Sequence, residues 1–304
     1  MLGECDARSY PHSRRAPLYV GFEAMPRSLC AFACAWILAF VAAPRALAHG
    51  DLHKKIAAAS REIAKHPNNP DLYARRGELY RLHHEFKRAL ADLTRAESLA
   101  PERGAFWALR ANVLHALKRD DEARREIVRF LGREPNHGEA LWLAGEIEAA
   151  LGHWSEAARR YAAAVIHLRR RTPRHYVTWA RAVLKTRPGN AGRAIEILDA
   201  GRVALAGAWS LDIEALEIER SHHLWDAALR RVDRILRRAP RKESWWLERG
   251  RILESAGRTS EARSAYEAAS AQLEALPRRV RRLPATQTLE NRIRKALRRI
   301  GTKP

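Results

Sequence analysis

Residues 67–100 read PNNPDLYARRGELYRLHHEFKRALADLTRAESLA, and two further segments of the same length begin at Pro101 and Pro135. Within the three segments the same kinds of residue return every 34 positions. The repeating positions are Tyr73, Trp107 and Leu141; Gly77, Ala111 and Gly145; Ala89, Ala123 and Ala157; and Leu93, Ile127 and Tyr161. A fixed period of this length, with small, aromatic and Pro residues in constant order, is typical of stacked helix–turn–helix units. We call the two helices of each unit helix A and helix B.

A second series with the same period follows, but out of phase with the first. Its members are Ala194, Ala228 and Ala262, and 37 residues separate Ala157 from Ala194. Pro173 lies four residues beyond the place that the period gives it, so we locate an insertion at 169–172 and a loss of one residue at 187–190. This predicts a third helix B that is one turn longer than the others. The fourth and fifth repeats are degenerate, whereas the sixth is clear from Trp246, Gly250 and Tyr266.

The order of aromatic, Leu-Gly, Tyr, Ala and Pro positions resembles the tetratricopeptide repeat family. That resemblance implies an all-α fold: a right-handed α-solenoid of about six helix–turn–helix repeats, closed by a C-terminal capping helix. It also implies that a protein or peptide partner binds in a concave groove lined by the A helices. Glu148 stands where the family has Tyr, which predicts a more open, solvated contact there.

The family's groove-facing positions can be transferred to helix A of several repeats. They are Glu78, Arg81, Asn112, His115, Trp142, Glu146 and Arg251, with Ala74, Ala108 and Leu247 beside them. Trp142 is the strongest contact candidate because an exposed aromatic side chain can anchor a partner; alternatively, it packs against the neighbouring repeat. The family's carboxylate clamp is not expected, because Ala occupies the positions that would need Lys.

The chain divides by composition into four segments. Residues 1–24 lack periodicity and are expected to be unstructured, and Met25 is a more natural start than Met1. Residues 25–48 resemble a secretory signal peptide, with Arg27, an apolar run over 29–43 and an Ala-x-Ala end. Cleavage after Ala48 would give an exported, periplasmic or secreted protein, whereas an uncleaved leader would be a membrane anchor.

The solenoid is predicted over 49–276, and it opens with a truncated repeat whose helix covers 51–66. Residues 277–304 are predicted to form a basic linker and an amphipathic capping helix near 286–300. Terminal repeats need a cap with a polar outer face. The alternative for this last helix is an interfacial helix whose basic face meets anionic lipid.

Catalytic patterns are absent from the sequence. No Gly-rich phosphate loop or nucleophile elbow occurs, and Cys5, Cys30 and Cys34 all precede the repeats. We therefore predict a non-catalytic protein without a cofactor. No metal site is predicted, although cleavage after Ala48 would place an α-amine and imidazole at His49, near His53, which is a weak candidate for copper(II).

The charge is strongly positive, formally +21 with an isoelectric point near 10.8. Basic clusters occur at 169–174, 230–241 and 278–282 and are interpreted first as exposed faces of B helices. An exported protein is not expected to bind nucleic acid. The alternative to a peptide-binding scaffold is therefore a peripheral protein held on an anionic envelope surface, phospholipid or lipopolysaccharide, by basic helices.

Overall fold

The computed structural model describes residues 51–186 and 190–301, which contain helices and no strand. By its contacts the chain divides into one unit ending at Lys55 and a second that begins at Ile56. The first unit contributes only residues 51–55 to the described part, and these are helical. The features below belong to the second unit.

Fifteen helices are present in the described residues. Helix α1 covers 51–65. The others are α2 (Pro70–Leu82), α3 (Phe86–Leu99), α4 (Ala105–Ala116), α5 (Asp120–Arg133), α6 (Gly138–Ala150), α7 (Trp154–His167), α8 (Pro173–Thr186), α9 (Ala191–Ala204), α10 (Trp209–Ser221), α11 (Trp225–Arg238), α12 (Glu243–Ser255), α13 (Thr259–Glu274), α14 (Arg278–Arg281) and α15 (Pro284–Gly301).

Helices α2 to α13 form six A–B pairs, and from α2 to α13 each helix packs against the next in sequence. Short turns between packed neighbours make the pairs antiparallel hairpins. Helix α15 packs on α13 and buries Ile293, Ala296 and Ile300 against the last repeat. The predicted all-α repeat solenoid is therefore confirmed.

The predicted position of the phase change is wrong. Helix α7 ends at His167 and is no longer than α5, so the third helix B has no extra turn. Compared with the third repeat, the fourth has one more residue in the linker before α8, one more in α8, and one more between α8 and α9. Pro173 is the first residue of α8, a position where its missing N–H is not needed, and it does not match the Pro that ends earlier repeats.

Close contacts between helices A and B depend on small residues. A Cβ atom at Gly145 would lie 2.5 Å from Tyr161 Cε1, and one at Gly250 would lie 2.3 Å from Tyr266 Cε1. In the fourth repeat the two partners are exchanged: the glycine, Gly201, is on helix B and faces a Tyr on helix A. The glycines thus create the slots that bury the aromatic rings.

In five repeats the turn from helix A to helix B contains a left-handed residue. The φ angle is positive at His84, Lys118, Gly152, His223 and Gly257. His84 and His223 hold the same place in the turns of the first and fifth repeats. The left-handed region disfavours residues with a Cβ, so the non-glycine members hold strained backbone.

A buried ionic cluster joins the fourth and fifth repeats. Arg231 on α11 is buried and donates hydrogen bonds of 2.8–3.0 Å to Asp199 on α9 and to Asp212 and Glu219 on α10. Burial disfavours the charged guanidinium, but these carboxylates outweigh it and raise the pKa of Arg231. The prediction that the 230–241 cluster is simply an exposed helix face is therefore wrong for Arg231.

Glu148 also differs from prediction. Its side chain is buried, accepts a hydrogen bond of 2.8 Å from Arg124 Nε, and lies 2.8 Å from His153 Nδ1. The replacement of Tyr is compensated by an ion pair between repeats rather than by an opening to solvent.

None of the helices in the described part of the chain combines the length and apolar character that crossing a bilayer requires.

Candidate partner-binding groove

Several A helices of neighbouring repeats pack directly on one another. Direct packing joins α2 to α4, α4 to α6 and α8 to α10. The predicted groove residues lie on α2, α4, α6 and α12, and three of these helices are joined by direct packing.

In the first two repeats, the predicted groove residues make local ion pairs. Arg81 donates two hydrogen bonds, of 2.8 and 2.6 Å, to the carboxylate of Glu78. His115 Nδ1 lies 2.5 Å from Asp120 Oδ1, and Asn112 is half-buried. A partner at this end would have to compete with these pairs.

Trp142 in the third repeat forms an aromatic cluster between α6, α7 and α8. Its ring centroid lies 4.5 Å from that of Tyr161 and 4.6 Å from that of His175, and its Nε1 donates to Glu146 over 3.0 Å. The ring remains half-buried. Trp142 thus packs against the neighbouring repeat, as one of the two predictions has it, and Glu146 holds its orientation.

Two ionisable groups in this aromatic cluster have shifted pKa values. Burial, with a smaller contribution from Glu146, raises the pKa of Tyr161. Burial, with the nearby charge of Arg174, lowers the pKa of His175. The backbone N–H of Thr172 donates to His175 Nδ1 over 3.1 Å, so this nitrogen is the acceptor of a neutral ring.

A cavity of about 280 Å³ lies between α10, α12 and the capping helix α15. Its walls mix apolar and charged side chains. They are Ile213, Leu216, Glu217, Arg220, Ser244, Trp245, Leu247, Glu248, Arg251, Leu289 and Arg292. A pocket that combines apolar walls with charged groups can accept one side chain of a peptide and fix its orientation.

The charges in this cavity are unequally matched. Arg220 Nη1 lies 3.0 Å from Glu248 Oε1, and Arg251 Nη1 lies 3.7 Å from Glu248 Oε2. Arg220 is also 3.6 Å from Glu217. Among the described residues no carboxylate forms an ion pair with Arg292, so the cavity has three guanidinium groups and two carboxylates.

Of the seven predicted groove residues, Arg251 lines the cavity. Leu247, placed beside it by the resemblance, is buried in the core and contributes only to the cavity wall. Sequence reasoning missed Ile213 and Glu217, yet they lie 34 residues before Leu247 and Arg251. The period would have found them if the groove-facing positions had also been transferred to the degenerate fifth repeat. Nothing in the sequence indicated that α15 completes the wall.

The weak copper prediction rests on one residue outside the described part, His49; His53 lies in α1. Within 51–186 and 190–301, no group of three or more His, Cys, Asp or Glu side chains is arranged to hold a metal ion.

Comparisons with known proteins identify the repeat type. The sequence model of the tetratricopeptide repeat matches residues 121–176 and 218–277. The C-terminal part of a tetratricopeptide repeat-containing protein from Cytophaga hutchinsonii is similar in structure, with a TM-score of 0.57 at 13% identity, covering 76% of this chain and 93% of that one.

Two other solved structures are less similar. A tetratricopeptide repeat protein from Parabacteroides merdae gives a TM-score of 0.48 at 17% identity, covering 83% of this chain and 93% of that one. YrrB, described as having an unusual peptide-binding site, gives 0.49 at 17% identity, covering 59% and 91%. No curated protein sequence matches the chain.

Proposed function

Since this chain is a tetratricopeptide repeat protein, we propose that it is a non-catalytic scaffold that holds a protein or peptide segment along its A helices. The observation that carries the proposal is the cavity where apolar and charged side chains of two A helices, α10 and α12, meet those of the capping helix α15. Tetratricopeptide repeats commonly serve protein–protein binding.

The chemistry of the cavity specifies the kind of segment. Ile213, Trp245 and Leu289 offer contacts to an apolar side chain, and the excess guanidinium of Arg292 offers a partner to a carboxylate. Arg pairs with carboxylates through two parallel hydrogen bonds, which adds orientation as well as affinity. The preferred ligand is therefore a segment in which an apolar residue stands next to Asp, Glu or a free C-terminus.

A displayed library of random peptides tests this proposal. Peptides selected on the wild-type protein should be enriched in apolar–acidic pairs, and Ile213→Glu should abolish their binding by placing a repelling charge in the cavity. Val128→Glu is the matched control, because Val128 on α5 is 46% exposed and Ile213 is 49% exposed. Equal binding by both variants, or enrichment of basic peptides, would contradict the proposal.

Export forms a second part of the proposal. Its support is the order of Arg27, the apolar run over 29–43 and the Ala-x-Ala end at Ala48. N-terminal sequencing of the protein from fractionated host cells should give His49-Gly50-Asp51 outside the cytoplasm. An intact leader in the membrane fraction would instead identify an anchor.

A further inference from the structure

One edge of the solenoid collects the linkers that lead from each helix B to the next helix A. The helix pairs are antiparallel, so these linkers all lie at the same edge, roughly 10 Å apart in successive repeats. In the C-terminal half the linkers are residues 168–172, 205–208, 239–242 and 275–283. We call these four linkers, with the helix ends beside them, the linker rim.

The linker rim is rich in cations that the fold does not neutralise. They lie in three groups: Arg169 to Arg171, then Arg237, Arg238 and Lys242, and finally the four arginines of 278–282. None of these side chains has an ion-pair partner among the described residues. Arg241 is different, since it bonds to the buried Glu243.

The same edge is different in the N-terminal half. There Arg103 pairs with Asp71 over 2.8 Å, and the third linker contributes Glu134. The charge of the edge changes from negative to positive at a cavity that is lined by Glu134 and Glu139 on one side and by Arg169 on the other. At the end of α5, Arg133 donates to the backbone carbonyl of Glu102. Positive charge without a carboxylate partner among the described residues is therefore concentrated in the C-terminal half of the edge.

Large apolar side chains stand exposed among these cations. Ile166 is 73% exposed, Val203 71%, Leu283 48% and Trp209 39%. Ile166 and Val203 occupy the same place, the last but one residue of helix B, where the first two repeats have Ser98 and Gly132. Since a stable helix end does not need a β-branched residue there, packing inside the repeat does not account for them.

Neighbouring linkers of the rim lie against each other. A Cβ atom at Gly207, between Val203 and Trp209, would lie 3.1 Å from Arg238 Nη1 of the following linker. One guanidinium thus projects over a turn that is flanked by two exposed apolar side chains. Cations and apolar groups form one mixed surface rather than separate patches.

We propose that the linker rim binds an anionic phospholipid surface peripherally. Basic side chains near such a surface are attracted to its headgroups, and exposed aliphatic and Trp side chains insert at the boundary with the acyl chains. The exposed aliphatic residues favour lipid over nucleic acid, whose backbone needs cations but gives Ile166 and Val203 no apolar contact. This surface differs from the groove, so failure of either proposal leaves the other standing.

A local fluorescent probe tests the proposal. In a variant with Cys5, Cys30 and Cys34 changed to Ser, Val203→Cys gives a single thiol for an environment-sensitive dye, and Val128→Cys gives a matched position on α5. With vesicles that contain phosphatidylglycerol, the dye at 203 should shift to the blue while the dye at 128 does not. Vesicles of phosphatidylcholine alone should give no shift.

Two triple variants separate the rim from general positive charge. R169Q/R170Q/R171Q should lower the vesicle partition coefficient on the order of 100-fold, since each basic residue contributes at an anionic surface. R75Q/R95Q/R125Q removes three exposed arginines from α2, α3 and α5 and should retain most binding. Equal loss in both variants, no shift at 203, or a shift given by duplex DNA and not by vesicles would overturn the proposal.

Discussion

Gly250 on α12 lies where helix A of the sixth repeat packs directly on a side chain of helix B. Tyr266 fills the slot that this glycine leaves, and its hydroxyl donates to Glu254 over 2.8 Å, so the ring is held at both ends. A methyl group at position 250 would have to displace this fully buried ring.

Gly250→Ala should therefore lower the free energy of unfolding by about 1–3 kcal/mol, as overpacking in a core does. Gly132→Ala is the control, because a Cβ there meets nothing within 4 Å and Ala favours the helix. Denaturant titration of both variants checks the prediction. Similar stability of the two proteins would mean that Tyr266 has another place to go.

His223 in the turn between α10 and α11 has a φ of 58°, whereas Gly257 in the equivalent turn has 75°. Replacing His223 by Gly removes a Cβ from the left-handed region. The variant should be more stable by about 1 kcal/mol, which is the usual cost of that conformation. Thermal unfolding measures this difference in stability. Gly257→Ala is the control and should lower the melting temperature. A destabilised His223→Gly protein would show that the imidazole contributes contacts of its own.

At the scale of elements, the contact between α6 and α8 contains a pH-sensitive group. Burial, together with Arg174, lowers the pKa of His175 below its ordinary value of about 6.5. The unfolded chain then binds more protons than the folded one between the two pKa values. The contribution of the neutral imidazole to the free energy of unfolding is fully present above the pKa of His175 in the unfolded chain. It is lost as the pH falls toward the pKa of His175 in the folded protein.

His175→Gln should remove this component, so that its unfolding free energy falls less steeply below pH 6.5 than that of the wild type. Denaturant titrations across that range test the difference, and NMR titration of the imidazole gives the pKa directly. An unchanged slope in the variant would assign the acid sensitivity to other groups.

The elements also show what the sequence could and could not predict. The period over 67–100 predicts two helices for the first repeat, and they lie at Pro70–Leu82 and Phe86–Leu99, because Gly77 and Ala89 mark a packing slot between them. The phase change was misplaced because Pro occurs both in linkers and at the first position of a helix. Pro173 could therefore be aligned either with the Pro that ends a repeat or with the start of α8.

The candidate site was less predictable for a related reason. Arg251 was found from its own repeat, but the cavity wall also needs residues of α10 and α15, whose places depend on how the whole array stacks. The partners of Arg231 lie 12, 19 and 32 positions away. From the sequence, residues 230–241 are recognisable only as a basic cluster. Which carboxylates pair with Arg231 depends on how α9, α10 and α11 are rotated and packed against one another.

For the whole molecule, α10 is the helix that joins two apolar cores. Leu211, Ala215 and Ile218 belong to the core of the repeats before it, whereas Leu216 belongs to the core that continues to α15. The buried cluster around Arg231 spans this boundary. The coupling of the two halves should therefore depend on it.

Arg231→Met should lower the unfolding free energy by about 3–5 kcal/mol, because it leaves Glu219 buried without its partner. It should also split a single denaturation transition into two, as nearest-neighbour coupling weakens in a repeat array. Arg230→Met, on the exposed side of the same helix, should leave both stability and the number of transitions unchanged. A single, equally stable transition for both variants would show that apolar contacts alone join the halves.

The Arg231 cluster also has a mechanical consequence. Apolar contacts between repeats have little directional preference. Neighbouring repeats that are joined by apolar contacts can therefore shift by small amounts relative to each other. Five hydrogen bonds from one guanidinium to three carboxylates fix both distance and angle. Under tension, the joint between the fourth and fifth repeats should therefore be stiffer than a joint of apolar contacts alone, and it should hold its angle until it breaks abruptly.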